Sequence, residues 1–279
     1  MIQVSNIGYK YPGNKHRVFD NFSLTLQENN IYGLLGKNGT GKSTLLYLIC
    51  GLLRPQRGSV KIDGREAKER HPQTLADLYI VTEDFVLPDI RLSEYVKANS
   101  PFFPNYSEKV MRECLKEFDV EGDPCLSALS MGQKKKVYMS FALATGTKYL
   151  IMDEPTNGLD IPSKAQFRKV VAGTMNTNRT IIISTHQVHD IENLLDHVLI
   201  MDKSQVLMDR SVADICSQYV CEYRTPDDMA DVIYAEPSLQ GNAVIAPRGN
   251  KAETPLNLEL LFDAVTLGKL KATDGTSKQ

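Results

Sequence analysis

The sequence has no tryptophan, little cysteine and almost no net charge. Its 279 residues include five cysteines and carry a formal net charge of −2. The cysteines are scattered, odd in number and form no C-x-x-C pair, so neither a disulfide framework nor a zinc site is expected, and the usage fits a reducing compartment. The near-neutral charge gives no indication of a nucleic-acid partner or of an anionic membrane surface.

Long apolar runs are also missing. No stretch approaches the roughly 20 apolar residues that span a bilayer. Residues 1–5 lack the basic region and the apolar core of a secretory signal, so none is expected. If the protein works at a membrane, we expect another polypeptide to supply the membrane span.

Short apolar runs alternate with amphipathic stretches, which predicts an α/β fold. Residues 2–4 and 22–26 alternate apolar and polar side chains, as half-buried strands do, and predict an antiparallel β section. Continuous apolar runs, typical of central parallel strands, occupy residues 148–152, 180–184 and 198–201. A helix predicted over residues 163–175 separates the first two of these runs, which is the βαβ pattern.

Changes in residue pattern along the sequence predict how the chain is divided into domains. Residues 1–205 form the main predicted domain, and about 87–144 within it are mostly helical, with helices starting near Ser107 and at Ser130. Residues 206–279 are predicted to form a small C-terminal α/β appendage. It is expected to contain strands at 220–223 and 243–246, a helix at 256–265 and a polar, frayed tail from Lys271.

A glycine-rich loop follows the buried-strand pattern of residues 31–35. Residues 36–43, GKNGTGKS, fit the phosphate-binding pattern G-x-x-x-x-G-K-S/T, and an amphipathic helix follows. Glycines let several backbone N–H groups approach one polyphosphate, and the helix adds its positive N-terminal end. Lys42 is expected to reach the β- and γ-phosphates, and the Ser43 hydroxyl is expected to bind Mg²⁺. The predicted ATP-binding residues of this loop are Gly36, Asn38, Gly39, Thr40, Gly41, Lys42, Ser43 and Thr44.

A second apolar run ends in two acids, Asp153 and Glu154. Asp153 is placed to hold Mg²⁺ through water, and Glu154 to orient or deprotonate the attacking water. Acids often end strands, so this pattern alone is weak evidence. Together with the phosphate-binding loop, it predicts hydrolysis of ATP.

Three further motifs resemble the nucleotide-binding subunits of ABC transporters. Residues 129–133, LSMGQ, resemble that family's LSGGQ signature and lie about twenty residues before the acid pair. Residues 153–160, DEPTNGLD, resemble the family's acidic motif together with the D-loop that follows it. Residues 184–186, STH, resemble its switch-histidine motif. The resemblance covers roughly residues 2–205. It implies a P-loop NTPase with a RecA-like core, an antiparallel β section and a helical subdomain.

The resemblance also implies roles for individual residues. His186 would contact the γ-phosphate and join Lys42 and Glu154 as a catalytic residue. Ser130, which is also a good helix N-cap, would begin a helix that contacts ATP held by the opposite subunit. An aromatic residue stacks on adenine in this family; Tyr11 is preferred, although Tyr9 lies on the same strand face. The additional nucleotide-binding residues implied are Tyr11, Glu83, Ser130, Gly132, Gln133 and Asp160.

The sequence departs from the family pattern at two positions. Met131 stands where the signature often has glycine, and a side chain is tolerable there if the position is helical. Glu83 stands where the family usually has a glutamine that senses Mg²⁺ and links the site to the membrane partner. We expect Glu83 to keep the linking role and to act as a metal ligand, with altered metal or pH dependence. Lys134, Lys135 and Lys136 spread around a helix and are interpreted as solvated surface.

The resemblance implies a subunit that hydrolyses ATP to energise transport through a separate membrane-spanning permease chain. It would work as a homodimer, or paired with a related ATPase, at the cytoplasmic face of the membrane. Residues 255–262, PLNLELLF, resemble the C-terminal helix of many exporter ATPases and favour export, although a plain amphipathic helix explains them as well. No nucleic-acid partner is expected.

Two alternative functions compete with transport. One is a soluble ABC ATPase acting on ribosomes or DNA. Such proteins usually carry two ATPase domains or a long coiled coil, and this sequence has one phosphate-binding loop and no heptad run. The other is a regulatory module without turnover, which the retention of Lys42, Asp153, Glu154 and His186 opposes.

Overall fold

A computed structural model describes residues 1–175 and 178–270 of the chain. The strands are β1 (Ile2–Tyr9), β2 (Phe19–Leu26), β3 (Ile31–Leu35), β4 (Arg57–Ile62), β5 (Arg65–Glu66), β6 (Leu78–Val81), β7 (Tyr149–Asp153), β8 (Thr180–Thr185), β9 (His197–Asp202), β10 (Gln205–Ser211), β11 (Tyr219–Arg224), β12 (Tyr234–Ser238) and β13 (Gly241–Pro247). The helices are α1 (Lys42–Ile49), α2 (Pro72–Ala76), α3 (Leu92–Asn99), α4 (Glu108–Glu117), α5 (Met131–Ala144), α6 (Ile161–Thr174), α7 (Val212–Gln218) and α8 (Leu258–Thr266).

The main sheet has six strands in the order β10-β9-β3-β8-β7-β6. All neighbours are parallel except β10, which runs antiparallel to β9 at the edge. Leu35 at the end of β3 pairs with Thr185, and Asp153 at the end of β7 pairs with Ser184. The register therefore brings the ends of β3, β7 and β8 to one edge of the sheet, where ligands of open α/β sheets bind.

The predicted antiparallel β section is confirmed. It is a four-stranded sheet in the order β2-β1-β4-β5. Its buried side chains, such as Ile2 and Phe19, form one hydrophobic cluster with Leu45 and Leu46 of α1. This packing anchors the helix that follows the glycine-rich loop, and so fixes the start of that helix at the edge of the main sheet.

The predicted helical region is also confirmed, and it contains α3, α4 and α5. Ser107 is the N-cap of α4, and Ser130 is the N-cap of α5, as the sequence predicts. The two helices pack together through buried residues including Met111, Cys114 and Val137. None of the helices in the described part of the chain combines the length and the apolar composition of a membrane span.

The C-terminal part contains a three-stranded antiparallel sheet, in the order β11-β13-β12, and α8. The strand and helix positions predicted there agree with β11, β13 and α8. The buried face of α8, including Leu261 and Val265, belongs to the same hydrophobic cluster as β8 and β9 of the main sheet. β10, which starts at Gln205, pairs with β9 and was not predicted. The division of the chain near residue 205 stays a prediction, and the tail predicted from Lys271 lies outside the described residues.

Candidate active site

The glycine-rich loop joins β3 to α1. Gly39 and Gly41 have φ angles of 82° and 99°, a region that side chains rarely tolerate, and Gly41 is the N-cap of α1. A Cβ atom on Gly36 would lie 2.6 Å from the carbonyl oxygen of Met201. The start of α1 therefore follows a loop with two positions that favour glycine. Its first turn has no side-chain cap, so its N–H groups are suited to bind an anion.

Lys42 lies across this loop and is buried. Its Nζ donates hydrogen bonds to the carbonyl oxygens of Gly36, at 2.7 Å, and Lys37, at 3.3 Å, and lies 3.9 Å from Glu154 Oε1. Burial lowers the pKa of Lys42, and the charges of Glu154, Asp153 and Glu83 oppose that shift. The buried ammonium group of Lys42 is poorly hydrated, which suits it to bind phosphate, and two buried carboxylates lie near it.

Asp153 is the last residue of β7 and is fully buried. The Ser184 hydroxyl donates to its Oδ1. Burial raises the pKa of Asp153; hydrogen bonds from Ser184 and Ser43 oppose the shift, and the neighbouring charges of Glu154 and Glu83 add to it. A carboxylate whose charge is disfavoured in this way is well placed to be stabilised by a cation.

Glu154 has a left-handed backbone, with φ of 46°, which is uncommon for a residue with a side chain. Its Oε2 accepts a hydrogen bond from Thr185 Oγ1 at 3.0 Å. Its Oε1 accepts the backbone N–H of His186 at 3.1 Å and lies 2.8 Å from His186 Nδ1. The carboxylate is therefore oriented by the last residue of β8 and by the residue that follows it, within reach of Lys42.

A cavity of about 600 Å³ opens above the loop. Ten of the predicted site residues line it: Tyr11, Asn38, Gly39, Gly41, Lys42, Ser43, Thr44, Glu83, Glu154 and His186. Three residues that were not predicted also line it: Asn14, Val18 and Asn157. Of the other predicted residues of the loop and the acid pair, Gly36, Thr40 and Asp153 do not line it. Residues from several separate sequence motifs thus line one concave site.

Tyr11 and Tyr9 occupy different positions. Tyr11 is half-buried, lines the cavity and hydrogen-bonds Thr44 Oγ1 through its hydroxyl at 3.0 Å. Tyr9 is buried and packs edge-on against the Tyr11 ring, with the ring centroids 5.0 Å apart. Of the two, Tyr11 has the accessible ring.

The signature residues lie outside this cavity, at the start of α5. Ser130 Oγ accepts the Gln133 N–H at 3.3 Å, and Gln133 Oε1 accepts the Ser130 N–H at 3.1 Å, which forms a capping box. Met131 is the first helical residue and is 64% exposed, so its side chain meets no obstruction. Gly132 lines a second cavity, of about 220 Å³.

Glu83 and Asn157 line both cavities. Asn157 Nδ2 donates to Glu83 Oε1 at 2.7 Å. Asp160 lies further along the chain, where it is exposed and caps α6 by accepting the Ser163 N–H at 3.0 Å. Asp160 therefore lies in neither cavity, whereas Glu83 lies at the boundary between the two.

The interpretation of Lys134, Lys135 and Lys136 as solvated surface was wrong for Lys135 and in part for Lys136. Lys135 is buried, and its Nζ donates to the carbonyl oxygens of Glu154, at 2.9 Å, and Asn157, at 2.8 Å. Lys136 is partly buried and donates to the Phe118 carbonyl at 3.2 Å. A lysine stem packs well in apolar surroundings when its ammonium finds acceptors. In this helix, the acceptors come from loops distant in sequence, which helical spacing alone does not reveal.

The site's chemistry fits Mg²⁺. Ser43, Asp153 and Glu83 offer hydroxyl and carboxylate oxygens, the ligands this ion prefers. Among the described residues, no group of three or more histidine, cysteine or acidic side chains is arranged to hold a metal ion. Mg²⁺ commonly takes only one or two protein carboxylates and completes its shell with phosphate oxygens and water. A sparse set of oxygen ligands beside a phosphate-binding loop is therefore suitable.

The strand, glycine-rich loop and helix, with an acid pair at the end of another strand of the same sheet, define a P-loop nucleoside triphosphatase. The ABC transporter family profile matches residues 19–157. The chain is 33% identical over 232 residues to the methionine import ATP-binding protein of Carboxydothermus hydrogenoformans, covering 77% of this chain and 67% of that protein. It is 30% identical over 203 residues to an energy-coupling factor transporter ATP-binding protein of Symbiobacterium thermophilum, and the match covers 69% of this chain and 70% of that protein.

The chain therefore belongs to the ATP-binding subunits of the ABC transporter family, and it binds and hydrolyses ATP. Solved structures agree on the fold. An ATP-binding subunit of an ABC transporter aligns with a TM-score of 0.68 and 24% identity, over 77% of this chain and 91% of that one. A dimeric bacterial ABC transporter cassette aligns with a TM-score of 0.66 and 23% identity, over 76% of this chain and 99% of that one.

Proposed function

We propose that this chain energises transport through a separate membrane-spanning partner, and that two ATPase chains pair to form the working unit. One observation carries the pairing. The exposed start of α5, with Ser130 and Gly132, lies outside the cavity that contains Lys42 and Glu154. If the start of α5 also binds phosphate, as we propose, each chain presents two separate phosphate-binding surfaces, and a second chain is needed to bring one of each kind together.

The glycine-rich loop and the start of α1 bind the phosphates of ATP, and Tyr11 stacks on the adenine. Lys42 exchanges the carbonyl oxygens of Gly36 and Lys37 for the β- and γ-phosphates. Glu154 accepts a proton from water as the water oxygen bonds to the γ-phosphorus and the bond to the β–γ bridging oxygen breaks. His186, fixed beside Glu154, contacts the γ-phosphate and registers its release.

Mg²⁺ would be held by Ser43 and Asp153, with Glu83 as an additional oxygen ligand. When bound, it would neutralise charge on the β- and γ-phosphates. Asp153 then serves to hold the cation and Glu154 to accept the proton. The raised pKa of Asp153 supports this division of roles, because its ionised form needs a cation for stability.

In the dimer, the start of α5 from one chain faces the γ-phosphate bound by the other. Its free N–H groups and the positive end of the helix suit an anion. A two-fold arrangement places each loop against the partner's Ser130, Gly132 and Gln133, so two ATP molecules lie in the interface. ATP then closes the dimer and hydrolysis reopens it, a ligand-driven population shift.

The membrane partner and the direction of transport rest on different evidence. The curated relatives are ATP-binding subunits of transporters, which supports a membrane-spanning partner and a position at the cytoplasmic face of the membrane. Their names include methionine import and, in Haemophilus influenzae, lipopolysaccharide export, the latter at 26% identity over 74% of this chain and 89% of that protein. We favour export because the sequence of α8 resembles the C-terminal helix of exporter ATPases.

The variant Glu154→Gln tests the pairing. It removes the proton acceptor but keeps the shape of the side chain, so ATP remains bound and the dimer accumulates. Gel filtration with saturating ATP and Mg²⁺ should show a dimer for this variant, and a monomer when ADP replaces ATP. A Glu154→Gln variant that stays monomeric with ATP would contradict the composite site.

Co-purification tests the transport function. The native chain should be isolated from membranes in mild detergent and its companions identified. A stoichiometric polytopic membrane protein supports the proposal, and the class of that protein indicates import or export. Ribosomes, DNA or only soluble companions would overturn the transport assignment while leaving ATP hydrolysis in place.

A further inference from the structure

Lys135 is a buried cation whose partners are unusual. Both of its recorded hydrogen bonds are to main-chain carbonyl oxygens, those of Glu154 and Asn157, rather than to a carboxylate. Burial lowers its pKa, and the charges of Glu83, Glu154, Asp153 and Asp84 oppose the shift. Burying an ammonium group is costly, so a lysine in this position calls for an explanation.

Its two acceptors lie at the two ends of the turn that carries Glu154. The Glu154 carbonyl also accepts the Asn157 N–H at 3.2 Å, which closes that turn. Glu154 itself has the left-handed φ of 46°, a conformation that persists only where surrounding contacts hold it. Lys135 thus adds a second hydrogen bond to a carbonyl whose peptide must stay in a strained orientation.

The same lysine connects this turn to the start of α5. Lys135 lies in the second turn of the helix, five residues after the capping residue Ser130. Asn157, at the other end of the turn, donates to Glu83 at 2.7 Å. One ammonium group therefore connects α5, the Glu154 turn and, through Asn157, Glu83.

We infer that Lys135 is a positioning residue for Glu154, which holds the 154–157 turn against α5 so that the Glu154 carboxylate points at the attacking water. This inference rests on the catalytic role proposed above for Glu154. The hydrogen bonds of Lys135 reach neither the phosphate-binding loop nor Lys42, so we expect Lys135 to affect turnover rather than nucleotide binding.

The test compares Lys135→Met, which keeps the stem and removes the ammonium, with Lys136→Met on the next residue of the same helix. Lys136 also donates to a main-chain carbonyl, that of Phe118, away from the cavity. We expect Lys135→Met to lower kcat by about tenfold to a hundredfold with KM for ATP changed by less than about twofold, because small misplacements of a reacting group cost rates of this order. Lys136→Met should leave kcat within about twofold of the wild type.

Lys135→Arg supplies the rescue. It keeps a charge and several donors, so its kcat should exceed that of Lys135→Met. Hydrogen exchange should show faster exchange at residues 155–159 in Lys135→Met and not in Lys136→Met. A kcat for Lys135→Met within twofold of the wild type overturns the inference. So does a KM that rises as much as kcat falls, or equal turnover in the arginine and methionine variants.

Glu154→Gln, measured in the same assay, separates this inference from the proposed mechanism. If Glu154→Gln retains turnover, the catalytic role of Glu154 fails, and the inference fails with it. If Glu154→Gln is inactive and Lys135→Met is unaffected, only the inference fails.

Discussion

The negative charge of Asp153 lowers the stability of the folded protein. Its pKa is raised by burial, so the ionised carboxylate destabilises the folded state above that pKa, and the penalty disappears as the pH falls through it. We therefore expect Asp153→Asn to raise the free energy of unfolding at pH 7 by about 0.5–2 kcal/mol while abolishing ATP hydrolysis.

Thermal unfolding of Asp153→Asn and wild type across pH 4–7 measures this effect, with the exposed Asp84→Asn as the control. The advantage of Asp153→Asn should shrink as the pH falls, because the wild-type carboxyl becomes protonated and neutral like the amide. An advantage that stays constant with pH, or that Asp84→Asn shares, would contradict the assignment of the penalty to the Asp153 charge.

Glu83 is an exposed carboxylate at the boundary of the two cavities, held by the Asn157 side chain at 2.7 Å. If it adds an oxygen ligand for Mg²⁺, Glu83→Gln should raise the half-saturating Mg²⁺ concentration for ATP hydrolysis by about threefold or more, because an amide oxygen is a weaker ligand than a carboxylate. Asp84→Asn, with its carboxylate one residue away, should not. Superimposable Mg²⁺ titrations of Glu83→Gln and wild type would rule out the metal role.

At the residue scale, the sequence analysis predicted the residues that belong to a recognisable motif. It missed the residues whose partners are brought near only by folding. The phosphate-binding loop was predictable because its spacing imposes its own backbone shape. Lys135 was not, because lysines are mostly exposed and its acceptors, on residues 154 and 157, come near only after β7 and α5 pack together. Asn157 was missed as a cavity residue for the same reason: its side chain is directed by Glu83, 74 positions earlier in the chain.

At the scale of elements, the caps of α4 and α5 form a matched pair. Ser107 Oγ accepts the Val110 N–H, and Ser130 Oγ accepts the Gln133 N–H, both at 3.3 Å. Ser107→Ala and Ser130→Ala should each cost about 1 kcal/mol of stability. Only Ser130→Ala should also weaken ATP-dependent dimerisation and turnover, because only α5 begins at the surface proposed to face the partner's ATP.

Denaturant unfolding and ATPase assays of both variants, and gel filtration with ATP of each combined with Glu154→Gln, make this comparison. Equal losses of dimerisation in the two variants would show that general helix destabilisation explains the effect. Elements such as these were predictable because a serine before an amphipathic run is a local signal. β10 was not, since its sequence, QVLMDRS, neither alternates apolar and polar residues nor is apolar throughout, and it pairs with β9 at the sheet edge.

At the scale of the whole molecule, the C-terminal part and the ATPase core share one hydrophobic cluster. Leu261 of α8 is fully buried in the same cluster as Ile183 of β8 and Ile200 of β9, and the Leu258 N–H donates to Glu192 Oε1 at 2.5 Å. Because they share a hydrophobic core, we expect the C-terminal part and the ATPase core to unfold together. Calorimetry of the full chain should therefore show one transition whose calorimetric and van't Hoff enthalpies agree.

Leu261→Ala should lower the stability of that single transition by about 2–5 kcal/mol, the usual cost of a cavity in a packed core. Leu267→Ala, at a leucine that is 61% exposed just after the same helix, is the matched control and should change stability by less than about 0.5 kcal/mol. Two resolved transitions, of which Leu261→Ala shifts only one, would mean that the predicted appendage unfolds by itself. A single shifted transition would mean instead that a change in the buried face of α8 also alters the stability of the strands that hold Glu154 and His186 in place.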